Sequence, residues 1–139
     1  MLIFIAGPYG KRAGAEPAVI EKNIDVVCKV GQWVAELGDV PVIPHLWHRL
    51  VTGSFMNEEM WLNLSVELML QCGGVIRLPG DSKGADAEVG VAQKAGVPVM
   101  VLTASSIEWP TMWQVVRNLR AMARVREREA MMSEGEGDG

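Results

Sequence analysis

A carboxylate set six residues after a serine and four after a glycine is the first feature of this chain that could do chemistry. The segment is Pro79-Gly80-Asp81-Ser82-Lys83-Gly84-Ala85-Asp86-Ala87-Glu88-Val89-Gly90-Val91-Ala92. It follows Val75-Ile76-Arg77-Leu78, an apolar run that reads as a buried strand. Ala85, Ala87, Val91, Ala92 and Ala95 then recur at helical spacing. Strand, glycine-containing loop and helix start together present backbone N–H groups to an anion. Ser82 fits the N-cap of that helix. Glu88 lies one helical step beyond Gly84, where no side chain fills the space. A carboxylate over such a gap can meet a bound ligand as nucleophile or base. The alternative is a solvent-facing glutamate in an ordinary helix.

Two further clusters carry polar or ring chemistry. Gly7-Pro8-Tyr9-Gly10 breaks the apolar run Leu2–Ala6, and Lys11 and Arg12 follow as possible phosphate contacts or solvated loop charges. The spacing is not the G-x-G-x-x-G dinucleotide fingerprint. His45-Leu46-Trp47-His48-Arg49 follows a second apolar run, Val40–Ile43, closed by Pro44. His45 and His48 lack a third ligand at matching spacing, so no metal site is expected. Trp47 and the histidines either wall a pocket for a flat ring or pack the loop against helices.

These clusters need elements to hold them. Pro17 suits a first helical turn, and Ile20, Ile24, Val27, Val34 and Leu37 give a core-facing stripe ended by Gly38. A second helix is expected from about Asn57 to Gln71, with Met60, Trp61, Leu64, Leu68 and Met69 as its apolar positions. The third closes at Gly96. Val97–Leu102 is a fourth strand, and a last amphipathic helix carries Trp109, Met112, Trp113, Val116, Leu119 and Met122. Its far face, Arg117, Arg120, Arg124, Arg126 and Arg128, reads as solvated. Strict alternation of strand and helix predicts an α/β fold: a parallel sheet of four to five strands with helices on both faces. All strand carboxyl ends then share one edge. The three polar loops converge there, which favours a functional Glu88 over a solvent-facing one.

The chain has 139 residues, 49% of them hydrophobic, and a formal charge of −4. That is one domain, expected over residues 1–132, with residues 133–139 a disordered acidic, glycine-rich tail. The negative balance argues against binding polymeric nucleic acid. The apolar start is too short to span a bilayer, has no basic lead and reads as a first strand. Neither a membrane association nor a signal peptide is expected. Cys28 and Cys72 read as buried free thiols, consistent with a reducing, cytoplasmic setting.

Taken together, Gly7-Pro8-Tyr9, Pro44-His45 and Pro79-Gly80-x-Ser82-x-Gly84-Ala85-x-x-Glu88 resemble the nucleoside 2-deoxyribosyltransferase-like superfamily. The resemblance covers roughly residues 2 to 102 and is most specific in Ser-x-Gly-x-x-x-Glu. That family includes base-exchanging transferases on deoxyribonucleosides and N-glycosidases of nucleoside monophosphates. The resemblance implies a flavodoxin-like three-layer fold and no cofactor. It also implies a covalent mechanism in which Glu88 attacks C1′ and displaces the base, with Tyr9 hydrogen-bonded to Glu88. Gly7, Pro8, Gly10, His45, Trp47, His48, Asp81, Ser82, Lys83 and Gly84 would bind substrate; that Trp47 and His48 face the base is inferred from their place in the second loop and not from the family.

Ser82, where transferases on free nucleosides tend to carry Asp, favours a 5′-monophosphate and hydrolysis; the adjacent Asp81 counts the other way. Relatives often carry an acid where this chain has Ser65, and another where it has Gly73, so activity here is open to being weak or altered. The family's habit of building sites between subunits implies a homodimer or higher homo-oligomer. Two other readings stand beside this one: a non-catalytic nucleotide-binding module on the same scaffold, and a redox flavoprotein. The first loop lacks the hydroxyl residues that would favour the latter.

Overall fold

The computed structural model describes residues 1–11 and 14–137, so Arg12 lies outside the described residues. The elements run β1 (Leu2–Ala6), α1 (Pro17–Glu36), β2 (Val40–Val42), a 3-10 turn (Pro44–Trp47), α2 (His48–Gly53), α3 (Glu58–Met69), β3 (Gly74–Arg77), α4 (Lys83–Lys94), β4 (Val99–Val101), a second 3-10 turn (Ala104–Ser106) and α5 (Trp109–Gly137).

Among the described residues the strands form one sheet in the order β2-β1-β3-β4, every pair parallel. That is the flavodoxin-like order without a fifth strand. Period-two alternation divides β1 between two cores. Ile3 and Ile5 face α1 and α5, where Val27, Val30, Val34, Met112, Val116 and Leu119 are fully or almost fully buried. Phe4 and Ala6 face the other way, against Met69 of α3 and Ala85 and Ala92 of α4. Both faces are therefore covered, as the near-continuous apolar strands required.

Several expectations change in detail. The segment after His45, read as a loop, contains α2, a helix with no buried residue. In α3, Met60 and Leu64 are exposed and Ser65 is buried. The reason is that α3 turns its mixed face toward α4 and the cavity described below. Cys72 is buried, but Cys28 is only half-buried. The arginine face of α5 is not simply solvated: Arg120 Nε donates to Asp39 Oδ2 at 2.8 Å, and its Nη2 donates to the carbonyl of Leu37. Arg126 donates to the carbonyl of Ala95 at 3.2 Å. These contacts tie α5 to the turns that end α1 and α4. Helix α5 also continues to Gly137, into the tail expected to be disordered. Residues 127–135 are exposed, and helix there propagates from the packed turns before it. No described helix is long and apolar enough to cross a membrane.

Asp39 is buried and accepts from two donors, the Met1 ammonium at 2.7 Å and Arg120. Arg120→Ala removes one of them and frees the Leu37 carbonyl. It is expected to cost about 1–3 kcal/mol of stability in urea unfolding. An unchanged midpoint would contradict the role given to this pair.

Candidate active site

The loops that follow β1 and β3 meet at the carboxyl edge of the sheet. Gly80 sits at φ +112°, and a Cβ there would stand 2.8 Å from Pro8 Cγ. Only glycine allows that approach in that conformation. Arg77, at the end of β3, fixes the same loop from below. Its side chain is 9% exposed and donates to the carbonyl of Leu78, to that of Gly80 at 2.9 Å and to Asp86 Oδ1 at 3.0 Å. Ser82 then caps α4, accepting from the Ala85 N–H at 3.1 Å. This is the N-cap read from the sequence.

These contacts aim the first turns of α4 at a cavity of about 640 Å³. Its wall includes Gly7, Pro8, Tyr9, Gly10 and Lys11 after β1, and His45 and Trp47 after β2. Asp81, Ser82, Lys83, Gly84 and Glu88 complete it from the loop after β3 and from α4. A Cβ added at Gly84 would meet nothing within 4 Å, so that position is open space. His48 is the one expected site residue that does not line the cavity. It meets the cavity wall indirectly, its Nδ1 paired with the Tyr9 hydroxyl.

Glu88 is 8% exposed, so the solvent-facing alternative does not hold. Its Oε2 accepts a hydrogen bond from the Ser65 hydroxyl on α3. Burial pushes its carboxyl up to about 7, against the Ser65 bond and the Arg77 charge, which pull it down. The expected Tyr9–Glu88 hydrogen bond is not made. The Tyr9 hydroxyl pairs with His48 Nδ1, and Ser65 holds Glu88. The reason is positional: α2 brings His48 to the tyrosine, while α3 presents Ser65 to α4. Burial first, and then the Glu58 carboxylate, push the Tyr9 hydroxyl up, so it stays protonated at neutral pH.

His45 is a loop anchor as well as a wall. Its Nε2 donates to the carbonyls of Gly7 at 3.2 Å and Pro8 at 3.1 Å, which fixes the tautomer. Burial lowers its pKa despite those bonds, so it is a neutral donor. Asn23 donates to the carbonyl of Tyr9 at 3.2 Å, and Lys11 to the Thr52 hydroxyl at 3.3 Å. Trp47 and Trp61 lie with ring centroids 6.0 Å apart and give the cavity an aromatic side. Among the described residues no group of three or more His, Cys, Asp or Glu could hold a metal ion.

The sequence reading missed Trp61 as a wall residue and Arg77 as the loop clamp, and it treated Ser65 only as a substitution. A signal existed. Glu58, Trp61, Leu62 and Ser65 stand at i, i+3, i+4 and i+7 on α3 and all line the cavity.

No family model and no curated protein matches this sequence. Solved structures do match. One is a 2-deoxyribosyltransferase from the psychrotolerant bacterium Bacillus psychrosaccharolyticus, at 19% identity and a TM-score of 0.59, with 81% of this chain and 90% of that one covered. This protein shares its fold with that 2-deoxyribosyltransferase. A 2-desoxiribosyltransferase from Leishmania mexicana matches at 21% identity and a TM-score of 0.50, over 73% of this chain and 63% of that one. A conserved protein from Enterococcus faecalis V583 matches at 20% identity and a TM-score of 0.54, over 76% and 65%. At these identities the likeness is one of architecture.

The raised carboxyl of Glu88 has a consequence for stability. Its folded value, about 7, lies above its ordinary 4.5, so the fold favours the neutral form. That contribution is complete below about pH 4.5 and is lost as pH rises through about 7. Glu88→Gln keeps an acceptor for Ser65 and cannot ionise. Its Tm is expected to match the parent near pH 5 and to exceed it by a few degrees near pH 8.5. A difference independent of pH would contradict the burial of this carboxyl.

Proposed function

We propose that this protein cleaves or transfers at the N-glycosidic bond of a nucleoside or nucleoside 5′-monophosphate, with Glu88 as the nucleophile. The observation that carries the reading is a buried carboxylate set beside an open glycine position, in a cavity assembled from three strand ends. The fold shared with 2-deoxyribosyltransferases is in keeping with it.

A Glu88 oxygen would attack C1′ while the C1′–N bond breaks. The base leaves with the bonding electrons and takes up a proton. The sugar is left as an ester of Glu88. Water or a second base then attacks C1′ from the opposite side and releases the carboxylate, so configuration is retained overall. Trp47 and Trp61 offer flat faces to a base. Tyr9, held by His48, would bind the sugar side of the cavity without itself holding Glu88.

Ser82 and Lys83 at the α4 N-terminus support a monophosphate and hence hydrolysis, since the Ser82 oxygen already accepts from Ala85 and its own proton remains to donate. Asp81 on the same wall opposes it. Self-association and a cytoplasmic setting belong to the same proposal. Leu46, Leu50, Phe55, Met60 and Leu64 are exposed on the elements around the cavity and would favour a homodimer or higher homo-oligomer. A non-catalytic nucleotide-binding module is the second reading, favoured by the serine that occupies one oxygen of Glu88.

Chromatography of free base, released from ribo- and deoxyribonucleosides and their 5′-monophosphates, separates these readings. Release from monophosphates alone, absent in Glu88→Gln, is the expected result. Release only when a second base is supplied would make the protein a transferase. Tight binding with no release would favour the binding module. Gly84→Leu fills open space and is expected to leave Tm within about 2 °C while cutting turnover at least tenfold. Unchanged turnover would move the substrate away from Gly84.

A further inference from the structure

The residue that meets Glu88 is the one where an acid was expected. Ser65 is 6% exposed and lies in the middle of α3. A mid-helix serine commonly turns its hydroxyl back onto its own helix. This one donates across the α3–α4 interface instead. The bond takes the hydroxyl's single proton and engages Oε2 of Glu88. Oε1 has no hydrogen-bond partner among the described residues, and Glu88 lines the cavity.

We propose that Ser65 is a positioning residue: by holding Oε2 it fixes the carboxylate plane and makes Oε1 the atom that meets the sugar. An aspartate here would set a second carboxylate against Glu88, and the pair would share a proton rather than both ionise. Serine supplies a donor without a charge and so lets Glu88 ionise alone. It follows that Ser65 does not protonate the leaving base, whose proton comes from another group or from water.

The other charged and titratable groups around Glu88 come from every element packed on α4. Arg77 approaches from β3, and it is already engaged by Asp86. Tyr9, Lys11, His45 and Glu58 line the cavity opposite α4, and Asp81 and Lys83 flank its start. The hydrogen-bond donor that contacts the carboxylate is the Ser65 hydroxyl.

This inference rests on the glycosyl-transfer reading, and its test has a readout that does not. The Glu88 carboxyl carbon is followed by carbon-13 NMR across a pH titration of the full chain, in the parent, Ser65→Ala and Ser65→Thr. In parallel, kcat and KM are measured against pH with the best substrate found. Ser65→Ala is expected to move the Glu88 midpoint up by about one unit, a tenfold loss of the charged form at a given pH. The acid limb of kcat should move with it while KM changes little. Ser65→Thr, which keeps the hydroxyl, should return both toward the parent. A folded Ser65→Ala protein with an unmoved midpoint would overturn the proposal, as would a loss confined to KM. A midpoint moved in Ser65→Ala, with a parent protein that turns over no substrate, would uphold the contact but overturn glycosyl transfer and with it the assignment of Oε1 to the sugar.

Discussion

The site depends on burying one carboxylate between two helices. A charge removed from water must be met by donors or opposite charge, or it takes up a proton. Glu88 sits close to that balance. One hydroxyl contacts it, one guanidinium acts from a distance, and burial still dominates. The rest of the local structure serves this placement. Arg77 and Gly80 shape the loop, Ser82 starts the helix, and Ala85 and Ala92 let α4 lie close against the sheet. A larger residue at either alanine would push the whole helix outward and carry the carboxylate with it.

The sheet contributes a different constraint. Parallel strands linked by helices deliver every loop that follows a strand to one edge, so chemistry from distant parts of the chain meets without any special contact. In this protein the edge is also cross-tied. His45 holds the carbonyls of the first loop, His48 holds its tyrosine, and Thr52 accepts from its lysine. The first loop and the segment after β2 therefore behave as one wall. That wall faces α4 across the cavity.

Much of this was legible in the residues. The apolar runs Leu2–Ala6 and Val75–Leu78 have the composition of strands buried on both faces, and they are β1 and the body of β3. Ser82 has the chemistry of a cap and is one. The convergence of the loops followed from alternation of elements alone. What sequence could not carry was the choice of partner. Tyr9 meets His48 rather than Glu88, and that depends on how α2 packs, a helix of six residues with no buried residue to announce it. Ser65 was visible only as a departure from an expected acid. Its role appears once α3 is rotated so that its exposed side carries Met60 and Leu64. The length of α5 was underestimated because its closing glycines have low helix propensity, which propagation from a packed helix overrides.

The central claim is a covalent bond between a sugar and Glu88. Peptide mass mapping of protein quenched during incubation with a 2′-fluoro-substituted nucleoside monophosphate tests it most directly, because the fluorine slows the second displacement and lets the ester accumulate. A mass increment equal to the fluorinated glycosyl 5′-phosphate, confined to the peptide that contains Glu88 and absent from Glu88→Gln, is the predicted result. Base release without any adduct on that peptide would contradict the account and point to direct attack by water, with Glu88 as its general base.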